Sequence, residues 1–473
     1  VNTRPAPVPG VPVFAWLAFV VPLVCIAIVW ALGMMPIVRL AALGGVAAVA
    51  GAAVFTRPVW GVYFLAFYTW AGLGTVLPGA VASAITLVTF ASVLVAFARG
   101  QSCRLRDSVF WWSLGFFLLF SVQAMLFAWR VDRCLMLLAA YLKAFLVVFL
   151  IVQLVDTHAK LWRLAGWIFA GAVATVVLGV VGLRLGFVGV ANDAAGMVQT
   201  LRFSGLHGDP NTGPAYMCAA IPLGVFFVRT ERSRWLRALY TIGIVVVAAG
   251  TFASFSRAAF FSFAVVLVMI AMRETRSPRS LTLVVVLTTI LLVLAPSSYW
   301  ERVSNLSKIA DQVSRDWSVL MRYRALTAAW HLFTTHPLTG IGLGNFMFRG
   351  AYAVWIRIVV HDSFMEVLVS VGVFGFSAFA GLLASGFRPL AAAARRPWVG
   401  APVWMRHFGF YAAVAQASTL VSAIFMSTSY RYLLWLPVAL GLVVGSLPGG
   451  RPQMVEPPER SPRTTLRTDP ESA

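Results

Sequence analysis

Apolar runs of about twenty residues recur along the chain from Val13 to Pro448, separated by short polar or Gly/Pro-containing intervals. A helix of that length matches the roughly 30 Å hydrocarbon core of a bilayer. The pattern predicts fourteen spans, at 13–33, 37–56, 58–78, 80–98, 109–128, 135–155, 164–183, 211–228, 238–255, 258–272, 281–296, 362–387, 407–427 and 432–448. The runs at 58–78 and 258–272 are the weakest, so the expected fold is an all-α polytopic membrane protein with about 12–14 transmembrane helices. Gly and Pro inside several runs do not argue against them, because membrane helices tolerate both. No small-residue cleavage site follows the first run, which therefore reads as a retained span rather than a signal peptide.

One interval differs from the rest. Residues 297–361 form a connection far longer than any other, and such loops are usually functional or disordered. Within it, 311–335 places Val313, Trp317, Leu320, Met321 and Ala328 on one helical face, which predicts an amphipathic helix. HPLTGIGLGNF follows, with the Gly and Pro punctuation of a tight turn. The expected organisation is an N-terminus at 1–12, spans with short loops at 13–296, the long loop at 297–361, three spans at 362–448 and a disordered tail at 449–473.

Composition agrees: of 473 residues, 60% are hydrophobic and 11% charged, under half the charged share of a typical soluble domain. Charge then gives direction. With 37 Lys+Arg against 16 Asp+Glu the net charge is +21. The basic residues form no soluble nucleic-acid-binding domain, lying instead mostly between apolar runs. With the N-terminus inside, seventeen fall in cytoplasmic loops and seven in the short periplasmic ones. The long loop is then periplasmic and both termini cytoplasmic. Four scattered cysteines without a CxxC indicate neither a disulfide framework nor a metal site.

Four places carry ionisable residues near the bilayer, where burial is costly unless the group is paired or solvated. All lie on the expected periplasmic side. In LRFSGLHGDPN, Arg202 precedes a span; Asp209 and Asn211 are also explained by capping the next helix. In SFSRAAFF, Arg257 sits at a hinge beside Ser254 and Ser256; it could snorkel to the interface or hold phosphate in a bidentate fork. On the loop helix, Arg315 and Arg322 share one face, while Arg324 falls at the centre of the apolar face, seven residues before His331. In VVHDSFMEVL, His361 stands where the loop re-enters the membrane. Imidazole is the usual general base near neutral pH, but a lone histidine at a helix start, with Asp362 and Ser363 as cap types, also has a structural explanation.

Walker A, Rossmann, HExxH and GxSxG signatures are absent, and carboxylate pairs suited to glycosidase chemistry are scarce outside the cytoplasm. An enzyme built here would use Arg and His, with no cofactor and no metal.

Taken in order, RFSGLHGDPN (202–211), SFSRAAF (254–260), the Arg322 helix with HPLTGIGLGNF (336–346), and HDSFMEVLVSVGVFGF (361–376) resemble the O-antigen ligase and O-antigen polymerase family. The resemblance covers about 195–380. It implies a membrane glycosyltransferase of GT-C-like architecture in the bacterial inner membrane. Its donor would be an undecaprenyl-diphosphate-linked glycan, and its acceptor a hydroxyl on a lipid or glycan at the periplasmic face. It further implies that Arg202 and Arg257 hold the diphosphate and that His361 acts as base, inverting the anomeric carbon without a metal. Arg322 matches the family's loop-helix arginine, whereas the helical face points to Arg324; both stay open. Asp362 stands where the family often has Asn, and a hydrogen bond from it would raise the basicity of His361. Ligase is ranked ahead of polymerase and of protein O-oligosaccharyltransferase, because three spans follow a single long loop. A transporter of the lipid-linked glycan, from a different class, would place its polar residues at mid-membrane.

Overall fold

The computed structural model describes residues 51–77, 79–185, 202–274, 317–349, 359–395, 398 and 400–448. The expected spans at 13–33 and 281–296, most of the one at 37–56, the tail, Arg315 and Lys308 lie outside the described residues. All described elements are helical. They are α1 (Val59–Ala71), α2 (Gly79–Ala98), α3 (Ser108–Met125), α4 (Val131–Leu154), α5 (His158–Arg184), α6 (Thr212–Thr230) and α7 (Arg234–Phe252). Then come α8 (Arg257–Glu274), α9 (Trp317–Thr335), the single turn α10 (Phe346–Arg349), α11 (Ser363–Arg395), α12 (Trp404–Ile424) and α13 (Tyr432–Ser446). Seven of these (α2 to α7 and α11) are long and apolar enough to cross a membrane, and together they make the chain a polytopic membrane protein.

The weak run at 58–78 is shorter than its pattern suggested. Gly72 enters the left-handed region (φ 70°) and ends α1, and a 3-10 turn, Leu73–Thr75, follows. Its thirteen residues rise about 20 Å, and the segment runs from one end of α5 to the other: the Tyr63 hydroxyl donates to the Lys160 carbonyl (3.2 Å) and the Thr75 hydroxyl to the Leu206 carbonyl. The helix is held by burial: Trp70 donates its indole N–H to the Tyr216 carbonyl (3.0 Å) and meets the Tyr216 ring edge-on at 5.1 Å. Hydrophobicity alone does not distinguish a helix buried in protein from one buried in lipid.

The ends of α5, α7 and α12 lie with the starts of α6, α8, α11 and α13, tied by bonds such as Leu206 N–H to Thr175 Oγ1 (3.0 Å), Phe203 N–H to the Ala253 carbonyl (3.1 Å) and Thr428 N–H to Ser363 Oγ (2.8 Å). Between these ends lies an aromatic core in which Phe117 meets Tyr141 at 5.0 Å and Trp435 meets Phe145 at 4.7 Å, both edge-on. Such contacts add to the packing of neighbouring helices. Large apolar side chains on the outside, such as Trp112, Leu119 and Ile242, are exposed as lipid-facing residues would be.

Candidate functional site

Two loops meet at one end of the bundle. Residues 202–211 run back across the helix ends and are pinned to α5 by Leu206, whose N–H donates to Thr175 Oγ1 (3.0 Å). The Phe203 N–H donates to the Ala253 carbonyl (3.1 Å), so the segment pairs with the turn joining α7 to α8. Through that pairing Arg202, which is buried, meets the second motif. Its Nε donates to the Ser254 carbonyl (3.0 Å) and its Nη2 to Asn211 Oδ1 (3.2 Å). Asn211 Oδ1 also accepts from Ser256 Oγ (3.0 Å). Arg257, half-buried, follows at the first residue of α8. Two nitrogens of the Arg202 guanidinium are thus held, which sets its plane.

Of the two expected cap residues at the start of α6, Asp209 does the capping: its Oδ1 accepts from the N–H groups of Asn211 (2.7 Å) and Thr212 (2.9 Å). Asn211 itself makes no cap bond, which leaves its side chain to join Arg202 to Ser256. The neighbouring His207 stacks on Tyr216 (4.4 Å) with Nε2 against the Trp70 carbonyl (3.2 Å). Burial pushes its ring down to about 4, so it stays neutral.

The loop helix α9 is brought over this end by a broken helix. At Gly372 (φ 70°, ψ −177°) α11 departs from helical geometry. Carbonyls freed near the break accept from the glycine turn after α9: Ile341 N–H donates to Val369 O (3.0 Å) and Gly342 N–H to Ser370 O (3.0 Å), while Val373 N–H donates back to Pro337 O (2.8 Å). Broken backbone at membrane depth has to be satisfied in this way. Gly340 permits the approach, since a Cβ there would lie 2.3 Å from the Ser370 carbonyl oxygen.

Docked so, α9 buries Met321, Ala325, Ala328 and Ala329 against Ile341, Phe346, Val360 and Val369. This corrects the reading of Arg324. The apolar face of the sequence centred on it, yet Arg324 is exposed, and the buried stripe is rotated onto two alanines that hydropathy weights lightly. Close packing favours small side chains there. Arg322, at the edge of the stripe, is half-buried and acts on the His361 ring.

His361 precedes α11 in the left-handed region (φ 58°), with its N–H donated to Ser427 Oγ (3.2 Å). Among the described residues, the two non-glycine residues with positive φ are His361 and Phe255, each beside one of the site motifs. Strained backbone of this kind collects at functional sites. Burial, and after it the Arg322 guanidinium, lower the His361 ring below its ordinary 6.5, while the Asp209 carboxylate pulls the other way. Charges from the loop helix and from the 202–211 segment therefore both reach this imidazole. Asp362 caps α11: its Oδ1 accepts from Phe364 N–H (2.8 Å) and Met365 N–H (3.0 Å). Burial raises its carboxyl, and those two bonds lower it.

Arg202, Asn211 and Ser256 thus come together, with Arg257 next along the chain, and Arg322 and Asp209 both lie within electrostatic reach of His361. Sequence reasoning missed Ser427 and Glu366. The Ser427 hydroxyl accepts from His361 and hydrogen-bonds the Glu366 carboxylate, which is buried with Oε2 lacking a hydrogen-bond partner. Beside them, Thr428 N–H donates to Ser363 Oγ (2.8 Å). The polar run Ser427-Thr428-Ser429 at the end of a span was the available signal. His336, by contrast, is used inside its own turn, with Nδ1 against Thr335 Oγ1 (2.9 Å) and Nε2 against Arg349 Nη1 (3.2 Å).

Chemically, the arrangement offers a fixed guanidinium at Arg202, and an imidazole at His361 that the Arg322 guanidinium acts on, at the ends of membrane helices. The O-Antigen ligase family model matches residues 242–380, which hold Arg257, α9, the glycine turn, His361 and the break in α11. No curated protein matches the chain significantly.

Proposed function

We propose that this chain works as an O-antigen ligase, as the family model matching residues 242–380 supports, and that it transfers a glycan from an undecaprenyl-diphosphate carrier to a hydroxyl of lipid A–core. The reading rests most on one observation: the imidazole of His361 is lowered in part by Arg322, on a helix from a separate motif, and lies within the field of Asp209 beside the Arg202–Asn211–Ser256 network.

In this mechanism Arg202, Arg257 and Arg322 hold the diphosphate. Guanidinium groups bind phosphate oxygens through paired N–H donors, and here their partial burial strengthens each contact. The acceptor oxygen attacks the anomeric carbon from the face opposite the carrier. The bond from that carbon to the diphosphate oxygen breaks as the new glycosidic bond forms, with inversion. His361 takes the acceptor proton, and undecaprenyl diphosphate leaves with its charge balanced by the arginines. The leaving group is already good, so orientation and charge neutralisation supply most of the acceleration. A lowered imidazole is neutral at pH 7 and ready to accept a proton. The charge bias of the loops supports the periplasmic face of the inner membrane as the place of this end of the bundle.

Clustering of the polar groups at one end, rather than at mid-membrane, favours surface chemistry over transport. The deciding experiment incubates purified protein with lipid-linked glycan and lipid A–core, with and without EDTA. Glycosylated lipid A–core in both is expected. Elongated lipid-linked glycan with no glycosylated lipid A–core would assign polymerase instead, and dependence on added divalent metal would overturn the metal-free scheme.

A further inference from the structure

The opposite end of the bundle holds a second polar site, about 30 Å away by the rise of a twenty-residue helix. A cavity of about 1010 Å³ opens between the loop before α3, the last turns of α11 and the end of α13. Among the described residues, its walls carry Arg104, Arg106 and Arg388 against a single carboxylate, Asp107. That carboxylate is already engaged, accepting from the Phe110 N–H (2.7 Å) as the cap of α3. The cavity is therefore cationic, and the rest of its lining includes apolar side chains such as Leu442 and Trp398.

The loop that carries these arginines is held in place. Arg104 N–H donates to Gln153 Oε1 (2.9 Å), and Gln153 Nε2 donates back to the Ser102 carbonyl (3.1 Å). The Arg104 guanidinium is anchored from behind by Nη2, which donates to the Asp156 and Ser446 carbonyls at 3.4 Å each. Its Nε is buried and has no hydrogen-bond partner. An unsatisfied buried donor on a cation is costly to keep, and a ligand oxygen would relieve it. Arg106 and Arg388 are exposed at the mouth.

We propose that this cavity binds the phosphate headgroup of an anionic phospholipid from the leaflet on that side. The arginines match phosphate chemistry, because the planar guanidinium pairs with two of its oxygens. The apolar part of the lining matches the glycerol and first acyl carbons, which a free phosphate would not cover. By the loop charges this is the cytoplasmic leaflet, whose anionic lipids attract basic groups at the membrane surface. The site is separate from the His361 end and does not depend on the transfer reaction.

The test uses full-length protein in mixed micelles, with native mass spectrometry to count retained lipids. Phosphatidylglycerol should be retained over phosphatidylcholine. A basic residue at an anionic surface is worth about fivefold in affinity, so the double variant Arg106→Gln with Arg388→Gln should lose phosphatidylglycerol about 25-fold. Both side chains are exposed, so folding should be kept. Arg234→Gln with Arg237→Gln, also exposed and at the same end, should leave retention unchanged. Three results would overturn the proposal: equal loss from the control pair, equal retention of the zwitterionic lipid, or retention unaffected by the cavity variant. A fourth arm adds inorganic phosphate. If phosphate alone displaced the lipid at millimolar concentration, the site would be one for free phosphate and the lipid assignment would fall.

Discussion

His361→Asn separates the chemistry of this residue from its backbone. At φ 58°, His361 occupies a region that costs an ordinary L-residue about 1–2 kcal/mol, and that histidine and asparagine visit more readily than most. Alanine would mix that strain with loss of the ring, whereas asparagine keeps the conformation accessible. The bond to Ser427 is made by the backbone N–H and survives the substitution. Stability should therefore change by less than about 1 kcal/mol, a small shift in Tm. Turnover should not survive. A positioned general base contributes about 10²–10⁴-fold, or roughly 2.7–5.4 kcal/mol of transition-state stabilisation. The assay is glycan transfer by purified protein at saturating donor, alongside donor binding and a melting curve. Expected are wild-type melting, wild-type donor binding and at least a hundredfold loss of turnover. Near wild-type transfer by His361→Asn, or a loss matched by loss of folding, would remove the base assignment. His336→Ala is the control: its ring is used within the turn after α9, so transfer should persist, with any deficit appearing in the melting curve.

Turnover should rise with pH along one ionisation whose midpoint lies below the ordinary histidine value, because burial and Arg322 disfavour the protonated ring; Arg322→Gln removes one of those causes and should move the midpoint upward. A midpoint unmoved by that variant would detach Arg322 from the site. Arg257→Ala should weaken donor binding or transfer by about 10- to 150-fold, the worth of one charged hydrogen bond, with Lys rescuing only in part because the fork is lost. Arg202→Ala should do the same and also lower Tm, since it abandons bonds to Ser254 and Asn211; wild-type transfer by both Ala variants would end the diphosphate role. Gly340→Ala forces a Cβ against the Ser370 carbonyl at a backbone φ of +67°, so it should destabilise the protein by more than about 1 kcal/mol and reduce transfer by loosening α9. Cysteines placed at Lys308 and Arg234 should label from opposite sides of the membrane, Lys308 from outside; labelling of Lys308→Cys only from the cytoplasm would invert the topology.

Much of this protein was legible along the chain. Long apolar runs can satisfy their backbone only as helices in lipid, so membrane class follows from local pattern, and the Lys/Arg asymmetry of the loops gives the expected orientation. The order of four motifs sufficed to point to the family, and the Gly and Pro of HPLTGIGLGNF to a tight turn. Tertiary structure decided what depends on rotation and close approach. Arg324 looked buried because the large side chains of Trp317, Leu320 and Met321 marked out the face around it, yet α9 packs on Ala325 and Ala329 where the glycine turn reaches the broken α11. The run at 58–78 read as one continuous helix, and only the structure shows α1 ending at the left-handed Gly72 with a 3-10 turn after it. Asp362 looked like a partner for His361, but the nearer orphan donors of its own helix take one carboxylate oxygen. Glu366 lay inside the HDSFMEVL segment with no role marked for it, and Ser427, 66 positions from His361, reached its backbone N–H only when the end of α12 packed against the start of α11. Side-chain pattern is a local quantity and the chain states it directly, whereas helix rotation and neighbour identity are set by contacts between segments far apart in sequence.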